Sequence, residues 1–173
     1  MPDRTSRKFL VVSLGDSFLF GGKDLDVEGI RSLSKALLRL IAKGFRVVAV
    51  AGSGSLGEEY SRVARDSGAS RIELNQILVR ASRLNAQLLI ESLRSLGVRT
   101  STKPLLVLDN IREFFSKFRG PRGSTAEGRT GAVAVLGNPF GKNANRYAAK
   151  VALEFRGRLI ILSSKDDIEK LPR

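Results

Sequence analysis

The residues best placed to do chemistry sit where apolar runs end in glycine. Gly52-Ser53-Gly54-Ser55-Leu56-Gly57 follows the apolar run Arg46 to Ala51 and precedes a helical pattern. Backbone N–H groups at such a junction can hold a phosphate, because they stand at the positive end of the helix dipole. Gly15-Asp16-Ser17 ends the run Lys8 to Leu14 in a tight loop of the same kind. The first segment matches the G-x-G-x-x-G dinucleotide pattern letter for letter, which is a weak signal alone. It lies on the second strand, and the acid that should hold a ribose about 20 residues later would fall inside a long helix. Tight turning explains Gly15, Gly52 and Gly54 as well as anion binding does.

A second set of residues is cationic. Arg112, Lys117, Arg119, Arg122 and Arg129 cluster in and before a segment of Gly, Pro, Ser, Thr and Arg at 119–130. That segment has no periodicity and reads as an exposed, flexible loop. Its Arg119-Gly120-Pro121-Arg122-Gly123 run is like the Gly/Arg segments that fold onto RNA. On the next helix, Lys142, Arg146 and Lys150 recur every four residues and form one stripe. Tyr147 lies beside it as a ring on which a base or sugar could stack. Arg156 and Arg158 extend the patch, and Glu154 is the single acid on that helix. A solvated helix face is the plain alternative for the stripe.

The whole composition points the same way. Lys and Arg number 30 against 17 Asp and Glu, for a formal net charge of +13 over 173 residues. Such an excess implies nucleic acid, an acidic partner or an anionic surface. No RNA-recognition motif, zinc finger or helix-turn-helix appears, and no DNA-specific motif, so recognition by shape and backbone is expected, as on ribosomal RNA. The chain has no Cys, which excludes disulfides and thiolate metal sites. It has no His, which removes the usual base near neutral pH and the commonest metal ligand. No metal site is expected, although carboxylates and phosphates could together hold Mg²⁺. The start is polar and no apolar stretch reaches about 18 residues, so a cytoplasmic protein without a membrane partner is expected.

Strands and helices alternate along the chain. Lys8–Leu14, Arg46–Ala51, Pro104–Leu108, Gly131–Leu136 and Leu159–Ser163 read as strands. Asp26 caps a helix carrying Val27, Ile30, Leu33, Leu37, Leu40 and Ile41 at helical spacing, and Gly44 stops it. A short helix runs to about Asp66, with Gly68 as its stop. A long one follows from Arg71 to Leu96, with Ile72, Ile77, Ala81, Leu84, Leu88 and Leu96 on one stripe. Asp109 caps a helix whose Ile111, Phe114, Phe115 and Phe118 form an apolar face. Another helix spans about Asn143 to Phe155, and Ser164 to Arg173 is a polar helical stub or tail. Uniformly apolar strands alternating with helices predict an α/β fold: a three-layer α/β/α sandwich with a mainly parallel sheet, in a single domain over 1–173.

The chain resembles the amino-acid kinase superfamily, in its archaeal-type uridylate kinase branch. That family opens with a strand and Gly-Gly-Ser, and here stands Leu14-Gly15-Asp16-Ser17, with Asp16 for the second Gly. Its next strand enters Gly-Gly-Gly-Lys, then an Arg and a Tyr. Gly52-Ser53-Gly54-Ser55, Glu58 and Tyr60 occupy those positions. The family's Thr-Arg-x-Asn-Ala is Ser82-Arg83-Leu84-Asn85-Ala86, and the Asp that precedes it is Asn75. Its Gly-Gly and Thr-Asp are Gly137-Asn138 and Ala144-Asn145, leading into a helix that matches through Ala148, Ala149 and Ala152. Its Thr-x-Val-Asp-Gly-Val-Tyr retains Ser164 and Asp167. The resemblance implies an amino-acid-kinase fold and a nucleotide or anion site, here vestigial, at Gly15, Ser17, Gly52, Ser53, Gly54, Arg83 and Asn85. Arg83 and Asn85 are explained equally by internal hydrogen bonds or exposed helix surface.

The departures weigh against catalysis. Phosphoryl transfer is positioning plus charge stabilisation. Glu58 puts repulsion where the family has attraction, Asn145 replaces an organising Asp, and Asp16 crowds a bare backbone. The family domain continues well past Arg173, so a truncated nucleotide half is expected. The leading expectation is therefore a protein that is not an enzyme, has no catalytic residues and no cofactor, and binds structured RNA as a ribosome-associated component beside ribosomal proteins. The alternatives are a uridylate-kinase-like phosphotransferase using ATP and Mg²⁺ on a nucleoside monophosphate, or a regulatory subunit of an intact kinase-fold paralogue.

Overall fold

A computed structural model describes residues 9–15, 26–117 and 131–172. Four strands are present among them: β1 (Phe9–Leu14), β2 (Arg46–Ala51), β3 (Val133–Gly137) and β4 (Arg158–Leu162). All pair in parallel, in the order β3-β2-β1-β4. Parallel strands need long crossovers, and helices supply them. These are α1 (Val27–Ala42), α2 (Gly54–Asp66), α3 (Arg71–Ser95), α4 (Leu108–Ser116) and α5 (Ala144–Glu154), with a 3-10 helix at Lys165–Lys170.

Successive side chains of each strand enter opposite cores. Leu10, Val12, Leu14, Val47, Ala49, Ala51, Val133 and Val135 face α1 and α3. Val11, Val48, Val50, Ala134 and Leu136 face α4 and α5. This two-sided burial is why the strands read as continuous apolar runs, and it makes the expected three-layer α/β/α architecture. Asp26 caps α1 as expected, its carboxylate accepting from the Gly29 N–H at 2.9 Å.

Four expectations need correction. Pro104–Leu108 is not a strand: Leu105 makes one bridge to Leu136 and donates its N–H to Val135 O at 2.9 Å. Pro104 has no N–H to extend that ladder, and α4 begins at Leu108. Val107 rather than Asp109 is therefore the N-cap, and Asp109 lies in the first turn, paired with Arg112. The buried face of α3 is Leu78, Ala81, Ser82, Asn85, Ala86, Leu89, Ile90 and Leu93, while Ile72 is 72% exposed and Leu84 61%. Val27 on α1 is also exposed, because it sits in the first turn beyond the sheet's cover. Phe118 lies outside the described residues.

Candidate active site

The strand order reverses direction beside β1, the topological switch point at whose carboxyl edge such sheets hold ligands. Gly15, Gly52–Gly54, Gly137–Asn143 and Ser163–Ser164 leave the four strands at that edge. Several backbone donors there are already used. Gly15 N–H donates to Leu162 O at 2.9 Å, Gly52 N–H to Leu14 O at 3.3 Å, and Asn138 N–H to Ala51 O at 3.1 Å. Each bond prolongs the ladder by one residue. The amides of Gly15 and Gly52 are therefore already engaged within the sheet. Gly54 differs: it opens α2 with φ +68°, and Ser53 makes no side-chain cap over that helix start. No described acceptor takes the Gly54 N–H.

α3 ties the loops together with polar side chains. The buried Asn85 amide donates to Gly52 O at 2.9 Å and Ser53 O at 3.0 Å. Ser82 Oγ reaches Asn138 O at 3.0 Å, across the end of β3. These bonds give the loop carbonyls of Gly52 and Asn138 a partner and add a second donor at Ser53 O, which also accepts the Gly57 N–H, so the loops are tied to α3. Arg83 lies between the two anchors and is exposed. Its backbone crosses Gly137 so closely that a Cβ there would lie 3.0 Å from Arg83 Cα. Among the described residues no acid pairs with the Arg83 guanidinium, which leaves it available at the mouth of the crevice.

The loop after β3 is also internally fixed. Asn138 Oδ1 accepts from the Phe140 N–H at 3.1 Å, and its amide donates to Lys142 O at 2.9 Å. Gly141, at φ +74°, lets the loop rest on Asn75 of α3, where a Cβ would lie 2.5 Å from Asn75 Oδ1. Ser13 Oγ donates to Asn145 Oδ1 at 2.7 Å, drawing the start of α5 onto β1. Asp167 Oδ2 accepts from the N–H groups of Ser163 at 2.7 Å and Ser164 at 2.9 Å, so that carboxylate is committed to holding the β4 loop. No group of three His, Cys, Asp or Glu among the described residues could cage a metal. Glu58, the residue expected to repel a phosphate, is exposed on α2. Solvent screens such a charge strongly.

The basic residues divide. Arg112 is engaged by Asp109 and Glu154 and stacks over Phe155 at 5.5 Å, so it is a structural cation, not a free phosphate ligand. Lys117 pairs with Glu113 at 2.8 Å. That bond and the ammonium charge hold the Glu113 carboxyl below its ordinary value. Tyr147 is 5% exposed and packs in the core beneath α5, which corrects its assignment as a stacking platform. Burial pushes its phenol pKa up. Lys142, Arg146 and Lys150 do form one exposed stripe, lining a groove of about 400 Å³ with Phe140, Asn143 and the Tyr147 edge. Arg156 and Arg158 are exposed beyond the far end of α5. Ser17, Arg119, Arg122, Arg129 and the 119–130 loop lie outside the described residues. The sequence reading missed Phe140, which is 57% exposed, because a single aromatic in a turn has no period. It also missed Ser82 as a buried anchor.

The fold and this crevice define a class, and comparison with known proteins gives the same one. No protein-family model matches the chain. A uridylate kinase of Natronomonas pharaonis is 30% identical over 156 residues, covering 90% of this chain and 61% of that protein. One from Sulfurisphaera tokodaii is 31% identical over 157 residues, covering 88% and 63%. The crystal structure of the Archaeoglobus fulgidus uridylate kinase superposes with a TM-score of 0.69 at 27% identity, over 89% of this chain and 62% of that one. The Bacillus anthracis UMP kinase shares the fold, with a TM-score of 0.67 at 14% identity. The chain is similar to archaeal uridylate kinases over most of its own length and shares the amino-acid-kinase fold of the solved ones. It spans about three-fifths of the length of these relatives.

These relatives overturn the expectation that the chain is not an enzyme, since the proteins it matches are named as kinases. The expectation rested on several lost side chains taken together. It gave too little weight to a loop framework fixed by Ser82, Asn85 and Asn138, which does not depend on those side chains.

Proposed function

We propose that the chain acts as a uridylate-kinase-type phosphotransferase that moves the γ-phosphoryl group of ATP onto a nucleoside monophosphate. One observation carries this reading: Arg83 stands exposed at the carboxyl edge of the sheet, between the two anchors that clamp the β2 and β3 loops. The names of the archaeal relatives support it.

In the reaction an oxygen of the acceptor phosphate bonds to the γ-phosphorus, the bond to the β–γ bridging oxygen breaks, and ADP leaves. Arg83 supplies a fixed fork of donors to the acceptor's phosphate oxygens. The Gly54 N–H and the start of α2 add partial positive charge beside it. Asn85 and Ser82 touch no reacting atom; they position the loops. No group of three His, Cys, Asp or Glu among the described residues would cage Mg²⁺ by itself, so the ion would enter with ATP and supply charge stabilisation there.

Release of ADP from ATP and Mg²⁺, measured with UMP, CMP, AMP and GMP in turn, tests the proposal. Saturable release with a pyrimidine monophosphate is expected. No release above blank with any of the four, from folded protein, would reject it.

A further inference from the structure

A groove opens where the loop after β3 meets the exposed face of α5. Of its cations, Arg146 and Lys150 lie four residues apart on one face of α5, and Lys142 stands in the turn just before that helix. A helix rises about 1.5 Å per residue, so Arg146 and Lys150 are roughly 6 Å apart along the axis. That interval is comparable to the step between consecutive phosphates of an extended nucleic-acid strand. None of the three cations has an acidic partner among the described residues. The one acid on α5, Glu154, stands four residues beyond Lys150 and is taken by Arg112 instead. The stripe therefore keeps its whole charge.

The same groove holds an exposed aromatic ring and a free amide. Phe140 is 57% exposed, at an edge held by the Asn138 turn and braced against Tyr147 with ring centroids 5.6 Å apart. Asn143 begins α5 in the left-handed conformation, at φ 59°, and its side chain makes no capping bond. A ring on which a base can stack, an amide that can meet a 2′-hydroxyl or base edge, and a group of cations along one groove are what a single RNA strand requires. The chain's net charge of +13 complements a polyanion.

We propose that the α5 groove is a binding track for single-stranded RNA, with Phe140 stacking on a base and Lys142, Arg146 and Lys150 contacting successive phosphates. This does not depend on the phosphotransferase reading, and its test involves no turnover. The test is fluorescence polarisation of a labelled 12-nucleotide RNA against salt, with the parent and three variants. The triple variant K142Q/R146Q/K150Q should bind more weakly, and the slope of log affinity against log salt should shrink by about 2 for three single-strand phosphate contacts. Phe140→Ala should weaken binding and leave that slope unchanged, because stacking releases no counterions. Lys35→Gln, on α1 across the sheet, should change neither affinity nor slope appreciably. Unaltered affinity and slope in the triple variant, with an unchanged melting curve, would overturn the assignment. So would binding of an acidic peptide or an anionic vesicle to this groove when RNA does not bind.

Discussion

Arg83 of α3 lies directly against Gly137 at the end of β3: a Cβ on that glycine would stand 3.0 Å from Arg83 Cα and 3.1 Å from its backbone nitrogen. The glycine is there for closeness. Backbone atoms cannot swing aside as a side-chain tip can, so Gly137→Ala requires α3 and β3 to move apart by a few tenths of an ångström. The expected loss is about 1–3 kcal/mol of stability, typical of overpacking. Monophosphate affinity should fall as well, because Arg83 moves with the helix. Urea melts and a UMP titration check both parts, and a variant as stable as the parent would show that the approach tolerates a methyl group.

Asn85 is the second anchor of the same helix. Asn85→Ala leaves the Gly52 carbonyl without its buried donor, while Ser53 O keeps the Gly57 N–H. An orphaned group of this kind costs about 1–3 kcal/mol, so a loss of that order is expected. Asn85→Asp should be no better, since a carboxylate would face two carbonyl oxygens. Denaturant midpoints of both variants provide the measurement.

Arg83→Ala should separate function from stability. The side chain is exposed, so the melting curve should barely move. Turnover with UMP should fall by about 10²-fold, the scale of one lost transition-state donor. Arg83→Lys should recover part of it, because the charge returns without the planar fork. Equal loss in the Ala and Lys variants would favour geometry over charge.

Glu73 gives a pH signature. Hydrogen bonding to Ser70, side chain first and backbone second, holds its carboxyl below the ordinary glutamate value at the start of α3. A lowered carboxylate contributes stability above its unfolded pKa and loses it as pH falls through the folded one. Relative to Glu73→Gln, the parent should therefore be more stable at pH 7. The gap should close only below the ordinary glutamate range. Thermal melts from pH 7 to 2 test this, and a gap that grows on acidification would contradict it.

Much of the fold is legible because parallel strands covered on both faces are apolar at nearly every position, as Phe9–Leu14 and Arg46–Ala51 are apart from Ser13 and Arg46. The same rule misleads at Pro104–Leu108, an equally apolar stretch that makes only one bridge. In α3, periodicity fails because the helix buries Ser82 and Asn85 and turns Ile72 and Leu84 outward. Those polar residues are inside because their partners are loop carbonyls more than thirty residues away, which no local pattern records. The motif resemblance finds Arg83 and Asn85 without showing their division of labour. One binds loops and the other faces solvent. The cation stripe is visible in the sequence, but the pairing of Arg112 with Glu154 that leaves it unneutralised belongs to the tertiary structure.

The most direct measurement is transfer of label from γ-³²P-ATP to UMP in the presence of Mg²⁺, with product resolved from ATP. Labelled UDP should accumulate with the parent chain and fall by about 10²-fold with Arg83→Ala. Folded parent protein that binds UMP and yet forms no labelled UDP would contradict the assignment of phosphotransfer to this crevice.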